Sequence, residues 1–126
     1  MTGDWDYSRT WYHGSPLELA AIREGSTITQ DRRLAEVFSH KPTIVSVSDD
    51  GRVQHNGTLP GFLYYVVEEV GPEDAYPHPR TTMEEKKEWL TRRELRVALI
   101  GPTRISDDDR LSEEDIVEIR KRMAGA

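Results

Sequence analysis

The chain has 126 residues, of which 36% are hydrophobic and 32% charged, and it contains no cysteine. This length suits one compact domain and is too short for two of ordinary size. A formal charge of -6 argues against nucleic acid as the main partner. The absence of cysteine excludes disulfides, thiolate metal sites and a cysteine nucleophile, so catalysis would depend on carboxylates, histidines or hydroxyls.

The amino-terminal segment MTGDWDYSRT carries two aspartates and no apolar run, and no apolar stretch in the chain is long enough to span a membrane. These features predict neither a signal peptide nor a transmembrane helix. We therefore expect a cytoplasmic protein with no membrane partner. It should form a single domain over residues 1–126, with a core at about 10–105 and a carboxy-terminal helix at about 112–123.

Short strands and helices are predicted to alternate at the start of the chain. Trp11 to His13 favours a strand, and a capping box beginning at Ser15 predicts a helix from Pro16 to about Glu24 that ends at a left-handed Gly25. Ser26 to Gln30 predicts a short strand. The next helix should be capped by Asp31 and carry the apolar residues Leu34, Ala35 and Phe38.

The middle of the chain predicts antiparallel β-structure. Residues 43–48 are rich in β-branched side chains, and Asp49-Asp50-Gly51 and Asn56-Gly57 are turn signals. Gly61 to Val70 is a continuous apolar run of aromatic and β-branched residues, which predicts a central strand.

The last third of the chain predicts two helices separated by a strand. A capping box at residues 82–85 indicates a short helix ending near Leu90, and Leu95 to Ile100 favours a strand. Ser112 begins a helix with an apolar face formed by Ile116, Ile119 and Met123. The whole pattern predicts an α+β domain with short helices beside mostly antiparallel strands.

Position singles out one of the four histidines. His13 ends a predicted strand at a glycine, where a side chain can meet a neighbouring pocket, although such a histidine also serves simply as a hydrogen-bonding residue of the sheet. No metal-ligand spacing such as HExxH occurs, so we expect no metal site.

Carboxylates and arginines follow the best predicted strand. Glu73 and Asp74 continue an acidic run after Gly61 to Val70, and they can either point into a cleft or form a solvated face. Arg92 and Arg93 precede the last strand and suit either a phosphate or a surface role. Dinucleotide-binding, P-loop and hydrolase glycine motifs are missing.

Five short segments, in this order, resemble the ADP-ribosyltransferase superfamily, and most of all the small bacterial rifampin ADP-ribosyltransferases. They are YHGS at 12–15, TITQ at 27–30, YVVE at 65–68, GPED at 71–74 and LTRRELRV at 90–97. The resemblance covers roughly Trp11 to Ile100. It implies a split fold of antiparallel sheets that holds NAD in a cleft without a dinucleotide-binding domain.

The resemblance also implies roles for individual residues toward NAD. His13 would bind a ribose hydroxyl, the Gly14 backbone would receive the nicotinamide carboxamide, and Tyr12 would belong to the same site. Asp74, or failing that Glu73, would stabilise the oxocarbenium-like charge as nicotinamide departs. Apart from the resemblance, the pyrophosphate of a bound NAD would need local positive or backbone-donor groups in this acidic chain, and Arg92 and Arg93 are the candidates.

This chain departs from the family pattern at two places. The acidic loop is about one residue shorter than the family's EDD pattern, and Thr27 stands where the family usually has a tyrosine. Because threonine cannot stack on nicotinamide, either another aromatic ring supplies the stacking face or NAD binding, and the transferase activity with it, is weakened. The candidates for that face are Tyr12, Phe38 and Tyr76.

Two functional hypotheses follow from the resemblance. The first is an NAD-dependent mono-ADP-ribosyltransferase, a glycosyltransferase that uses NAD as substrate, moves ADP-ribose to a small-molecule or protein acceptor and releases nicotinamide. The second is a non-catalytic protein of the same fold that binds a nucleotide or a protein partner.

Overall fold

The computed structural model describes residues 5–47, 52–79 and 87–125. The described strands are β1 (Tyr12–Ser15), β2 (Ala21–Ile22), β3 (Thr27–Ile28), β4 (Val45–Val47), β5 (Val53–His55), β6 (Gly61–Val66), β7 (Ala75–Pro77), β8 (Trp89–Thr91) and β9 (Leu95–Thr103). The helices are α1 (Arg32–Phe38) and α2 (Glu113–Gly125), and a 3-10 turn covers Asp107–Asp109.

The described strands form three sheets, with the orders β1-β6-β9-β2, β3-β8-β7 and β4-β5. Every pairing within these sheets is antiparallel. The predicted α+β class with mostly antiparallel strands is therefore confirmed. Among the described residues, no helix has the length and apolar character needed to cross a membrane.

The central strand is confirmed but ends earlier than predicted. β6 lies between β1 and β9 and stops at Val66 rather than Val70. Val67 N–H still donates to the Arg96 carbonyl at 3.1 Å, but the Arg96 N–H donates to the Glu68 carboxylate at 2.6 Å. A side chain thus takes the place of the next backbone acceptor, and the ladder ends there.

The helix predicted from Pro16 to about Glu24 is wrong. Tyr64 Oη donates to the Leu17 carbonyl at 2.7 Å and accepts from Leu19 N–H at 2.9 Å, so these backbone groups bond to β6 instead of to a helical turn. Ala21 and Ile22 then pair with β9. Pairing with an existing sheet has overridden a local capping signal. Gly25 does have the predicted positive φ, 84°, but in a turn between strands.

The helix predicted after Asp31 is confirmed as α1. The Asp31 carboxylate accepts from Leu34 N–H at 3.2 Å, which is the expected cap, and Leu34 and Ala35 are buried. The helix lies directly on the backbone of β1. A Cβ atom at Gly14 would stand 1.9 Å from the Ala35 carbonyl oxygen, so only glycine permits this approach.

Aromatic rings fill the core between the two larger sheets. Trp89 is 1% exposed, and its ring lies 5.2 Å from that of Trp11 and 5.6 Å from that of Tyr7, both nearly edge-on. Edge-to-face contacts of this kind add to the stabilisation from burial. The other buried members of this cluster are Ile22, Ile28, Tyr64, Val66, Val70, Ala75, Leu95 and Val97.

The remaining predicted elements have mixed outcomes. The strand at 43–48 is confirmed in its second half as β4, and the last strand is confirmed as β9. Asn56-Gly57 is not a hairpin turn, since the Asn56 amide oxygen accepts from the N–H groups of Thr43 and Ile44. The predicted turn at 49–51 and the capping box at 82–85 lie outside the described residues.

The two predicted helices of the last third differ in outcome. The predicted helix end near Leu90 is wrong, because β8 occupies Trp89–Thr91. The carboxy-terminal helix is confirmed as α2. Ser112 Oγ accepts from Asp115 N–H at 3.1 Å, and the Asp115 carboxylate accepts from Ser112 N–H at 3.3 Å, as a capping box requires.

Candidate functional site

The strands β1 and β3 run together and then separate, and the candidate site begins at this split. Tyr12 and Thr29 exchange both backbone hydrogen bonds, at 2.7 and 3.0 Å. In an antiparallel ladder the next residues to exchange such bonds would be Gly14 and Thr27. Within the described residues no β-bridge joins them. We call this position, with Gly14, Thr27 and His13, the split.

The His13 side chain occupies the split. Its Nδ1 lies 2.7 Å from the Thr27 carbonyl oxygen, the group that the Gly14 N–H would otherwise reach. Because a carbonyl only accepts, Nδ1 must be the donor. Burial lowers the pKa of His13 more than the Thr27 hydrogen bond raises it, which favours the neutral ring. In that tautomer Nε2 is a hydrogen-bond acceptor.

Ladder alternation turns further backbone groups toward the split. Val66 N–H, on β6, donates to the Trp11 carbonyl just before β1. In an antiparallel pair every second residue bonds the partner strand, so His13 and Ser15 also face β6. The N–H and C=O of Gly14, which lies between them, therefore face away from β6. On β3 the bond from Thr91 N–H to the Ser26 carbonyl likewise turns the Thr27 groups away from β8. The split is thus lined by strand backbone groups that lack a ladder partner.

One face of the sheet formed by β3, β8 and β7 continues from the split. Thr27 is in register with Leu90, which is in register with Tyr76, and all three are half-buried. The Arg92 guanidinium lies 4.4 Å from the centre of the Tyr76 ring. Of the aromatic residues that the sequence suggested for stacking, Tyr76 therefore shares a cross-strand row with Thr27, and Arg92 covers its ring.

The predicted carboxylate Asp74 is held by an arginine. Its Oδ1 accepts from Arg93 Nε at 2.8 Å, and its Oδ2 accepts from Gly71 N–H at 2.9 Å. Arg93 also donates to Glu68 at 3.1 Å. The Arg93 hydrogen bond is the largest cause that keeps the pKa of Asp74 below its ordinary value. We call Glu68, Asp74, Arg93 and Arg96 the Arg93 network.

Asp74 and His13 line different parts of the surface. A groove of about 850 Å³ is lined by Asp74, by residues 65–71 and by residues 7–11, and His13 is not among its lining residues. Glu73 is exposed. The sequence thus indicated two groups of site residues, and the structure joins His13, Gly14 and Thr27 in one of them while Asp74 belongs to the other.

The aromatic residues Tyr12 and Phe38 are not part of the cross-strand row formed by Thr27, Leu90 and Tyr76. Side chains alternate along a strand, so Tyr12 points to the opposite side of β1 from His13, next to its partner Tyr65. Phe38 ends α1 and is half-buried.

Sequence reasoning missed the role of Arg93. Arg92 and Arg93 were equal candidates for a pyrophosphate, but the structure gives Arg93 two carboxylates and leaves Arg92 on Tyr76. The two arginines follow β8, in a stretch where the sequence predicts a helix ending near Leu90, so no local pattern distinguished one from the other.

The chain matches no protein-family model, no curated protein and no solved structure. Within the described residues, no group of three or more acidic or histidine side chains is placed to hold a metal ion.

Proposed function

We propose that the chain is an NAD-dependent ADP-ribosyltransferase that binds NAD at the split. The observation that supports this best is the neutral His13 ring beside strand groups of Gly14 and Thr27 that have no ladder partner. The proposal places the cleft that the sequence resemblance implies at this split, between two strands that would otherwise pair.

The chemistry of the split suits the nicotinamide half of NAD. A carboxamide has one donor and one acceptor group, and the N–H and C=O of a single strand residue such as Gly14 complement both. The acceptor at His13 Nε2 complements a ribose hydroxyl. These contacts would hold the nicotinamide riboside without any net positive charge in the split.

The transfer step needs a carboxylate near the anomeric carbon. The acceptor hydroxyl forms the new C–O bond, the bond from carbon to nicotinamide breaks with its electron pair, and the hydroxyl proton passes to a base. A carboxylate stabilises the positive charge that develops on the ribose. Asp74 is already paired with Arg93, whereas Glu73 is exposed, so both residues must be tested.

The test is to incubate the protein with NAD and measure nicotinamide release. We expect His13→Ala to lower the rate about tenfold or more, because the ribose contact is lost. Glu73→Gln and Asp74→Asn identify the carboxylate. Glu18→Gln, a change at an exposed residue of the loop before β2, is the control and should leave the rate unchanged.

The ion pair between Asp74 and Arg93 supports a second candidate, a non-catalytic protein that binds a nucleotide. A carboxylate whose charge is balanced by an arginine stabilises a developing cation less well than a free one. A rise in Tm with NAD or ADP-ribose but no nicotinamide release would favour this candidate. If no ligand raised the Tm and no nicotinamide appeared, both functions would be refuted.

A further inference from the structure

A second pocket lies next to the split, beyond the bridge between Tyr12 and Thr29. It has a volume of about 320 Å³, and the charged residues that line it are Arg9, Asp31, Arg32 and Lys87. Three cations against one anion make this pocket positive, although the whole chain has a formal charge of -6. Local positive charge in an acidic protein concentrates anionic ligands.

The cations of this pocket are only partly neutralised. Lys87 Nζ lies 3.3 Å from the Asp31 carboxylate, while Arg32 has a longer contact of 3.9 Å with Glu36. Within the described part of the chain, Arg9 has no ion pair. Two guanidinium groups therefore remain able to bind an anion, and their planar donor sets suit phosphate oxygens.

Gln30 adds a polar group to the same pocket. Its Nε2 donates to the backbone carbonyls of Asp6 and Arg9, at 2.8 and 3.4 Å, and these two contacts fix the orientation of the amide. Its Oε1 is buried and has no hydrogen-bond partner among the described residues. A buried acceptor of this kind needs a donor, and a ligand hydroxyl would supply one.

We propose that Arg9, Arg32 and Lys87 bind the diphosphate of a nucleotide, with a ribose hydroxyl of the same ligand donating to Gln30. The pocket replaces Arg92 and Arg93 as the phosphate-binding part of the molecule. Gln30 is three residues from Thr27, about 10 Å along an extended chain, a distance that a dinucleotide bound at the split can span. Only the identification of the ligand as NAD depends on the proposed function.

The experiment is calorimetric titration with inorganic pyrophosphate, ADP and NAD. In the Arg9→Gln/Arg32→Gln double variant, ADP affinity should fall about tenfold or more, because two charge-assisted contacts are lost. Arg120→Gln, an exposed arginine of α2, is the matched control and should bind within about twofold of the unchanged protein. If the double variant loses its cooperative unfolding, Lys87→Gln takes its place and should weaken ADP binding in the same direction.

The outcomes separate this proposal from the proposed function. ADP binding that depends on Arg9 and Arg32, without any nicotinamide release from NAD, would leave the diphosphate site standing and refute the transferase. Turnover of NAD with an unchanged KM in the double variant would support the transferase and refute the diphosphate site. Equal affinities for pyrophosphate and ADP would overturn the assignment to a nucleotide, since the contact to Gln30 requires the ribose.

Discussion

The split and the Arg93 network differ in whether their polar groups have partners within the protein. At the split, His13 Nδ1 donates to the Thr27 carbonyl, and the backbone N–H and C=O of Gly14 have no ladder partner on β3. In the network, the carboxylates of Glu68 and Asp74 both bond Arg93. Unpaired strand groups favour a ligand, because binding can satisfy them, whereas a saturated ion-pair network mainly holds its own loops in place.

The largest effect is expected where α1 packs against β1 at Gly14. Gly14→Ala places a methyl group 1.9 Å from the Ala35 carbonyl oxygen, so helix and strand must move apart. We expect the free energy of unfolding to fall by about 3 kcal/mol, measured by urea denaturation. Gly101→Ala is the control, because a Cβ atom there meets nothing within 4 Å. That variant should be unchanged or more stable by about 0.5 kcal/mol, and equal losses in both would refute the packing argument.

An intermediate effect is expected from pH between about 7 and 5. Burial lowers the pKa of His13 and of His55, so the unfolded chain binds protons there that the folded chain resists. The contribution of the two neutral histidines to the free energy of unfolding is therefore fully present above the unfolded pKa of about 6.5 and is lost as the pH falls below it. The free energy of unfolding decreases by at most about 1.4 kcal/mol per pH unit for each proton. Urea denaturation across this range measures the slope.

Two variants test whether His13 and His55 cause the dependence of the free energy of unfolding on pH. His13→Gln should make it shallower, and so should His55→Asn, whose amide oxygen can still accept from Gly57 N–H as His55 Nδ1 does at 3.0 Å. His55 is 1% exposed and stacks on His40 with ring centres 5.5 Å apart, so protonation there adds charge to a buried ring pair. An unchanged slope in both variants would contradict this account.

The smallest effect is expected from the Arg93 network. Arg93→Gln removes two ion pairs between an exposed arginine and half-buried carboxylates that water still reaches, so only a small decrease of the urea midpoint should follow. The decrease should shrink in about 1 M NaCl, where exposed charges are screened. The Arg96 N–H, followed by Arg93, keeps the pKa of Glu68 low, and Arg93 keeps the pKa of Asp74 low. The contribution of these carboxylates to stability is therefore present above the unfolded pKa of about 4 and is lost as the pH falls through the lower folded values. If Arg93→Gln lowered the urea midpoint strongly and NaCl did not reduce that decrease, the network would not be the weakly stabilising, water-accessible set of ion pairs described above.

Local signals were reliable where the chain bonds to itself nearby. Asp31 caps α1 and Ser112 caps α2 because each capping bond joins residues three apart. The capping signal at Ser15 failed, because the hydroxyl of Tyr64, 47 residues from Leu17, bonds the same stretch of backbone. Tertiary hydrogen bonds of this kind have no signature in a local window.

The candidate site was predictable in part. His13 was indicated by its place before a glycine at the end of a predicted strand. The strand β1 instead continues to Ser15, and the His13 side chain bonds the Thr27 carbonyl where β1 and β3 separate. The pairing of Asp74 with Arg93 joins residues 19 apart and depends on the register of β7 with β8. The pocket of Arg9, Arg32 and Lys87 joins three distant parts of the chain, none of which carries a motif.

The sequence by itself determined the class of the protein: one small acidic α+β domain, with its central strand and two of its helices in the expected places. Composition can be counted from the sequence, and β-branched runs and helix caps depend on residues only a few positions apart, so a sequence contains these signals directly. Only the tertiary structure decided which strands separate, which carboxylate is neutralised and where cations gather, because each of these depends on strand register and on contacts between distant residues.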